Sequence, residues 1–155
     1  MNGKMVSTWR RDASSVAKTS FFSLLCGLLL VAGVSASDAG NEVDDLAAIR
    51  ASVFDYFDGI NTVDRERLER AFHPAAALKS VGDDGELEVL PIAEVIERWM
   101  QGSASQRVGK ILSIEIAGDE IARVVFDYNG DYIDFLSLAK LQGQWRIIDK
   151  VFVRT

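Results

Sequence analysis

The sequence predicts an α+β domain, with helices first and an antiparallel meander last. Three observations carry that reading. Leu46, Ile49, Val53, Phe54 and Phe57 recur at helical spacing and give one apolar face. The C-terminal third instead alternates residue by residue between short turns. One of those turns is Asn129-Gly130, the strongest short hairpin signal a sequence can carry. Helices gathered before the strands pack on one face of a curved antiparallel sheet, because neither layer buries its apolar side alone.

The elements follow in order. Asp44 or Asp45 caps the first helix, since a carboxylate accepts the free amide protons of a first turn. Gly59 and Asn61 are expected to end it. Asp64 caps a second, shorter helix with Leu68, Ala71 and Phe72 inward, and Pro74 closes it. Its charged residues, Arg65, Glu66, Arg67, Glu69 and Arg70, read as a solvated face. Residues 76–81 and 86–90 form a hairpin around Gly82-Asp-Asp-Gly85. Pro91 suits the first turn of a third helix over 92–101, with Ile92, Val95, Ile96 and Trp99 inward. Strands are expected at 110–117, where Ile111, Ser113 and Glu115 alternate with Leu112, Ile114 and Ile116, and then at 121–128, 131–141 and 144–154.

The first 36 residues read as a leader. Lys4, Arg10, Arg11 and Lys18 make a basic start, and 21–34 is an uncharged apolar run. Val34-Ser35-Ala36 then offers small residues for cleavage, so 1–36 reads as a secretory signal peptide and the protein as periplasmic or secreted. A run of 14 residues is short of the roughly 20 needed to span a bilayer. The membrane is therefore a partner only if the leader stays attached. Residues 37–43 are small and polar, and read as a disordered start before a domain at 44–155.

Cleavage after Ala36 would remove Cys26, the only cysteine, and with it any disulfide or thiolate metal site. The leader also takes four basic residues and one acid. That leaves 13 basic and 22 acidic residues, a net charge of −9. Such a surface repels a phosphate backbone, which excludes nucleic acid as a partner. One histidine among scattered acids has no metal-ligand spacing, and nothing points to a cofactor.

Two segments carry a family resemblance. The first runs Tyr56-Phe-Asp-Gly-Ile-Asn61, then Asp64, then Ala71-Phe72-His73-Pro74. The second runs Tyr132-Ile-Asp-Phe-Leu-Ser-Leu138, then Leu141-Gln-Gly-Gln-Trp-Arg-Ile-Ile148. Together they resemble the nuclear transport factor 2-like superfamily, and most of all its ketosteroid isomerases and lumazine-binding group. The resemblance implies a cone-shaped, cystatin-like fold: a curved antiparallel sheet with three helices on its concave face and a pocket between them. It also implies a homodimer built through the sheet.

In ketosteroid isomerases a helical Tyr and a protonated Asp on a late strand donate hydrogen bonds to a substrate oxygen. Tyr56 matches the Tyr, eight residues before Asp64 and sixteen before Phe72. Asp134 matches the Asp. A lone carboxylate among Ile133, Phe135, Leu136 and Leu138 is costly to bury as a charge, which singles it out independently. The carboxylate base of those enzymes is replaced here by Ser80, beside Lys79. A serine takes no carbon-bound proton unaided, so the isomerase reaction loses its base. Asp83, Asp84 and Glu86 belong to a turn and read as solvated.

His73 stands at the expected pocket mouth. It is either a base near neutral pH or a helix-end histidine held by the local dipole. Tyr56 is either a ligand contact or a core residue with its hydroxyl bonded. Phe57, Phe72, Trp99 and Leu136 are the expected pocket lining, and Trp145 is core or wall. Asp127, Asp131 and Asp149 are expected at turns or in solvent. Arg146 and Lys150 recur with Ile148 and Phe152 along the last strand; if that face is outer, it is a dimer surface with charged rims.

The expected function is binding of a small apolar or aromatic molecule without catalysis. The alternatives are an acid–base isomerase or dehydratase using Tyr56, Asp134 and His73, and a dimeric interaction module.

Overall fold

A computed structural model describes residues 36–155. The predicted signal peptide and Cys26 lie outside the described residues, apart from Ala36 at the end of the leader. Helices α1 (Ala36–Thr62) and α2 (Arg65–Ala71) come first, then β1 (Phe72–Val81), β2 (Leu87–Pro91) and α3 (Ile92–Met100). Strands β3 (Gly109–Ala117), β4 (Ile121–Tyr128), β5 (Tyr132–Leu141) and β6 (Gln144–Arg154) complete the domain. The sheet order is β2-β1-β6-β5-β4-β3, so the sheet curls with its edges unjoined and the three helices fill its inner side. Every pairing is antiparallel except β1 with β6. That parallel pair brings the first strand beside the last, and it makes the sheet mixed rather than wholly antiparallel.

Helix α1 begins earlier than its predicted cap, so 37–43 form its opening turns rather than a disordered start. Once a packed body has nucleated a helix, each added residue needs only its own backbone bond. Asp45 is consequently no cap. It is nearly buried, accepts from Trp145 Nε1 at 2.9 Å and pairs with Lys140 Nζ at 2.7 Å. The bond from Lys140, with Trp145 beside it, holds its carboxyl below the usual range. This contact ties α1 to β5 and β6.

Gly59 does not end α1 but lies inside it. A Cβ there would stand 2.8 Å from Leu68 Cγ, so glycine is what lets α2 approach. Arg67 and Arg70 then bind Asp55 of α1, which makes part of the predicted solvated face a helix–helix clamp. Asp64 caps α2 as expected, accepting from the Arg67 amide. Phe72 and Pro74 belong to β1 rather than to the helix. Pro74 falls where β1 loses register with β6, a bulge that tolerates the missing amide proton.

Both hairpins around β5 use positive φ at two successive residues, Asn129-Gly130 and Gln142-Gly143. Such turns match the twist of the strands they join.

Two further bulges decide which side chains face the helices. Leu112 is an extra residue between Ile111 and Ser113, so Ile111, Ile114 and Ile116 all reach the core while Leu112 stays out. On β6 the extra residue is Ile148: Ile147 pairs with Leu138, and Asp149 with the adjacent Ser137. A one-residue bulge reverses the alternation beyond it. Trp145 and Ile147 therefore point inward before it, and Lys150 and Phe152 after it. The single face expected for Arg146, Ile148, Lys150 and Phe152 is split between the two sides of the sheet.

Candidate functional site

The reversal on β6 delivers Lys150 to the inner side, in register with Leu78 on β1 and Leu136 on β5. Asp134 lies two residues along from Leu136, so it is the diagonal neighbour of Lys150, within reach of a long side chain. Lys150 Nζ donates to Asp134 Oδ2 at 2.9 Å and also to the Tyr56 hydroxyl. Tyr56 in turn donates to Asp134 Oδ2 at 2.8 Å. The three side chains form one closed cluster, with Tyr56 and Asp134 fully buried and Lys150 nearly so.

Burial is the dominant electrostatic fact here. It pushes the Tyr56 phenol well above its usual value, and the Asp134 charge adds to that. It pulls the Lys150 ammonium down, against the opposing attraction of Asp134. Lys150 also stands 4.6 Å from the Tyr56 ring centroid and 5.2 Å from that of Phe152, an aromatic seat for a cation. Asp134 Oδ1 has no hydrogen-bond partner. With Oδ2 accepting two bonds, Asp134 serves as an acceptor, whereas the ketosteroid isomerase resemblance implies a donor.

Above the cluster opens a cavity of about 540 Å³. Tyr56, Trp99, Tyr128, Tyr132 and Phe152 supply its aromatic lining, Ile60 and Leu78 its aliphatic lining. Its charged groups are Lys150, Arg107, Arg154 and Asp131. The loop after α3 brings Arg107 in. Asn61, near the end of α1, holds that loop by accepting from the Ser105 amide at 2.9 Å and from its hydroxyl at 3.2 Å.

The predicted site residues divide. Tyr56 and Trp99 line the cavity, and Asp134 lies directly beneath it. Phe57 and Leu136 are core residues that do not reach it. Phe72 packs edge-on against Tyr56 but opens to a second groove between α2, α3 and β1. His73 is outside the cavity: it sits in the bulged start of β1, and its Nδ1 accepts from the Ala75 amide at 3.2 Å. Ser80 is half-buried and bonds Glu88 instead. Among the described residues, no three of His, Cys, Asp and Glu cluster to hold a metal.

Lys150 is the residue that sequence reasoning misplaced. A usable signal existed: a buried Asp134 demands a cation, and the facing strand offers Lys150 on its diagonal.

The model of a family described as "Putative lumazine-binding" matches residues 44–153. A nuclear transport factor 2-like protein of unknown function from Silicibacter pomeroyi DSS-3 is 25% identical. That likeness covers 74% of this chain and 98% of the other, with a TM-score of 0.67. A ketosteroid isomerase-like protein from Erwinia carotovora atroseptica SCRI1043 is 16% identical over 72% and 96%, at a TM-score of 0.55. A type 2 hexachlorocyclohexane dehydrochlorinase is 11% identical over 76% and 89%, at 0.61. The last two likenesses are of fold alone. Among curated proteins, none matches the sequence.

Proposed function

Because the chain belongs to the "Putative lumazine-binding" family, within the nuclear transport factor 2-like superfamily, we propose that it binds a small aromatic, largely apolar molecule in its cavity. The carrying observation is the cavity itself. Its roughly 540 Å³ falls inside the range of about 300–1,000 Å³ typical of ligand pockets, and aromatic side chains dominate its lining. Tyr56 and Lys150 are bonded to Asp134 beneath the floor, so the inner end of the cavity favours an apolar, aromatic ligand body.

The same domain is proposed to work as a homodimer, exported through its leader. On the outer sheet face Val125, Phe135 and Val151 lie side by side in register, and Val153 is exposed nearby. A flat apolar row of this kind is best covered by a second copy. The leader's basic start and apolar run support export.

Native mass spectrometry of the protein from its own envelope fraction tests all three parts. The expected spectrum is a dimer whose chains begin at Ser37 and carry a retained aromatic molecule. Empty chains, combined with an unchanged melting temperature across a library of small aromatics, would remove the binding reading. A monomer at micromolar concentration would remove the dimer.

One observation favours a second reading, an acid–base isomerase or dehydratase. Lys150 borders the cavity with its ammonium pulled down by burial, so an amine faces the cavity while Ser80, bonded to Glu88, supplies no base. Turnover of this kind would carry solvent deuterium onto carbon of the retained molecule in heavy water. Absence of exchange leaves binding alone.

A further inference from the structure

The charge of the cavity is opposite to that of the protein around it. The chain has 23 acidic and 17 basic residues, yet Arg107, Lys150 and Arg154 line the cavity against one acid, Asp131. Asp131 is engaged in its own turn, accepting from Asn129 Nδ2 at 2.8 Å. Lys150 is matched by Asp134. Among the described residues, neither Arg107 nor Arg154 forms an ion pair.

Each arginine is instead laid against a tyrosine. Arg107 Nη1 donates to the Tyr128 hydroxyl at 2.9 Å, and its guanidinium carbon is 5.5 Å from that ring's centroid. Arg154 Nη2 donates to the Tyr132 hydroxyl at 3.0 Å, again with 5.5 Å to the ring. A guanidinium carries five N–H donors in a rigid fork. One such bond orients the fork and leaves the others open. Asp131 and Asp83 act on Arg154 from beyond ion-pair distance, so two oriented forks with no carboxylate in contact, on the exposed part of an aromatic cavity, suit a planar oxyanion.

We propose that the cavity takes an aromatic carboxylate, or a similarly planar aromatic oxyanion, with its ring against Trp99 and Phe152 and its charge on Arg107 and Arg154. This rests on the small-molecule reading above and names its ligand class.

The test compares 2-naphthoate with its neutral counterpart 2-naphthamide, by calorimetry at low salt. The ring is shared, so only the charge differs. Naphthoate should bind about tenfold more tightly, an increment expected of a charge-assisted bond at low salt. Arg107→Gln and Arg154→Gln should each weaken naphthoate about tenfold and leave naphthamide unchanged. Arg123→Gln, which breaks an ion pair with Glu115 outside the cavity, should alter neither. Equal binding of the two probes, or variants that weaken both alike, would overturn the anion assignment while sparing the cavity as a ligand site. If neither probe binds, the aromatic-carboxylate assignment falls, and the library screen above decides the small-molecule reading separately.

Discussion

Lys150→Met is expected to destabilise the domain by about 3–5 kcal/mol, because it strands a buried carboxylate. Asp134 is fully buried and has one accepting oxygen already without a partner. Losing Lys150 leaves it only the Tyr56 hydroxyl. A buried ion pair owes its strength to completeness: desolvation of both charges is recovered only while each faces the other. Asp134→Leu added to Lys150→Met should therefore restore most of the loss, and Tyr56→Phe should restore more, since the hydroxyl would by then have lost both partners. Urea denaturation of the single, double and triple variants gives the comparison. A single variant within about 1 kcal/mol of the parent would mean that water reaches Asp134, and the recovery argument would collapse with it.

Gly109→Ala is the second large effect, expected at about 3 kcal/mol, the upper part of the range for overpacking. A Cβ on Gly109 would stand 2.9 Å from Phe57 Cε2 and press harder still on Phe126 Cζ. Neither ring can step aside. Phe57 and Phe126 are edge-on at 5.4 Å, and Phe57 meets Tyr128 at 5.1 Å. Alanine ordinarily gains over glycine in a strand through reduced backbone freedom, so the sign of the outcome separates the two effects. A lowered denaturation midpoint with an unchanged slope is the expected result. A neutral or stabilised variant would show that the aromatic cluster has room to move. Tyr128 lines the cavity, so the displaced rings should also reshape its wall.

Much of this domain was legible because its local signals agree with one another. The strands over 121–128 and 144–154 appear with the expected bounds, since alternation and turn chemistry point the same way there. The buried partnership of Tyr56 and Asp134 was legible for a different reason: spacing matched a known arrangement, and an isolated carboxylate in an apolar strand had to be compensated. Other positions carried two meanings. Gly59 ends many helices, and only the approach of Leu68 shows that here it serves contact within one. His73 carried two readings, a pocket base and a helix-end histidine, both resting on its place where the second helix meets the first strand. With Phe72 starting β1, the histidine falls in an irregular stretch outside the cavity. Arg107 and Arg154 had no pattern to announce them, because the loop and the strand end that carry them meet only in the folded chain.

The bulge at Ile148 has a consequence for how this fold can change over generations. Beyond it β6 holds two interleaved sets of residues. Lys150, Phe152 and Arg154 face the helices; Val151 and Val153 face out. Loss of that one extra residue would exchange the sets: Lys150, Phe152 and Arg154 would leave the inner side and Val151 and Val153 would take their place, while Tyr56, Trp99, Tyr128, Tyr132 and Arg107 kept their positions. Asp134 would then stand in the core without its cation, so the length of β6, and not only its residue types, is what the buried pair depends on.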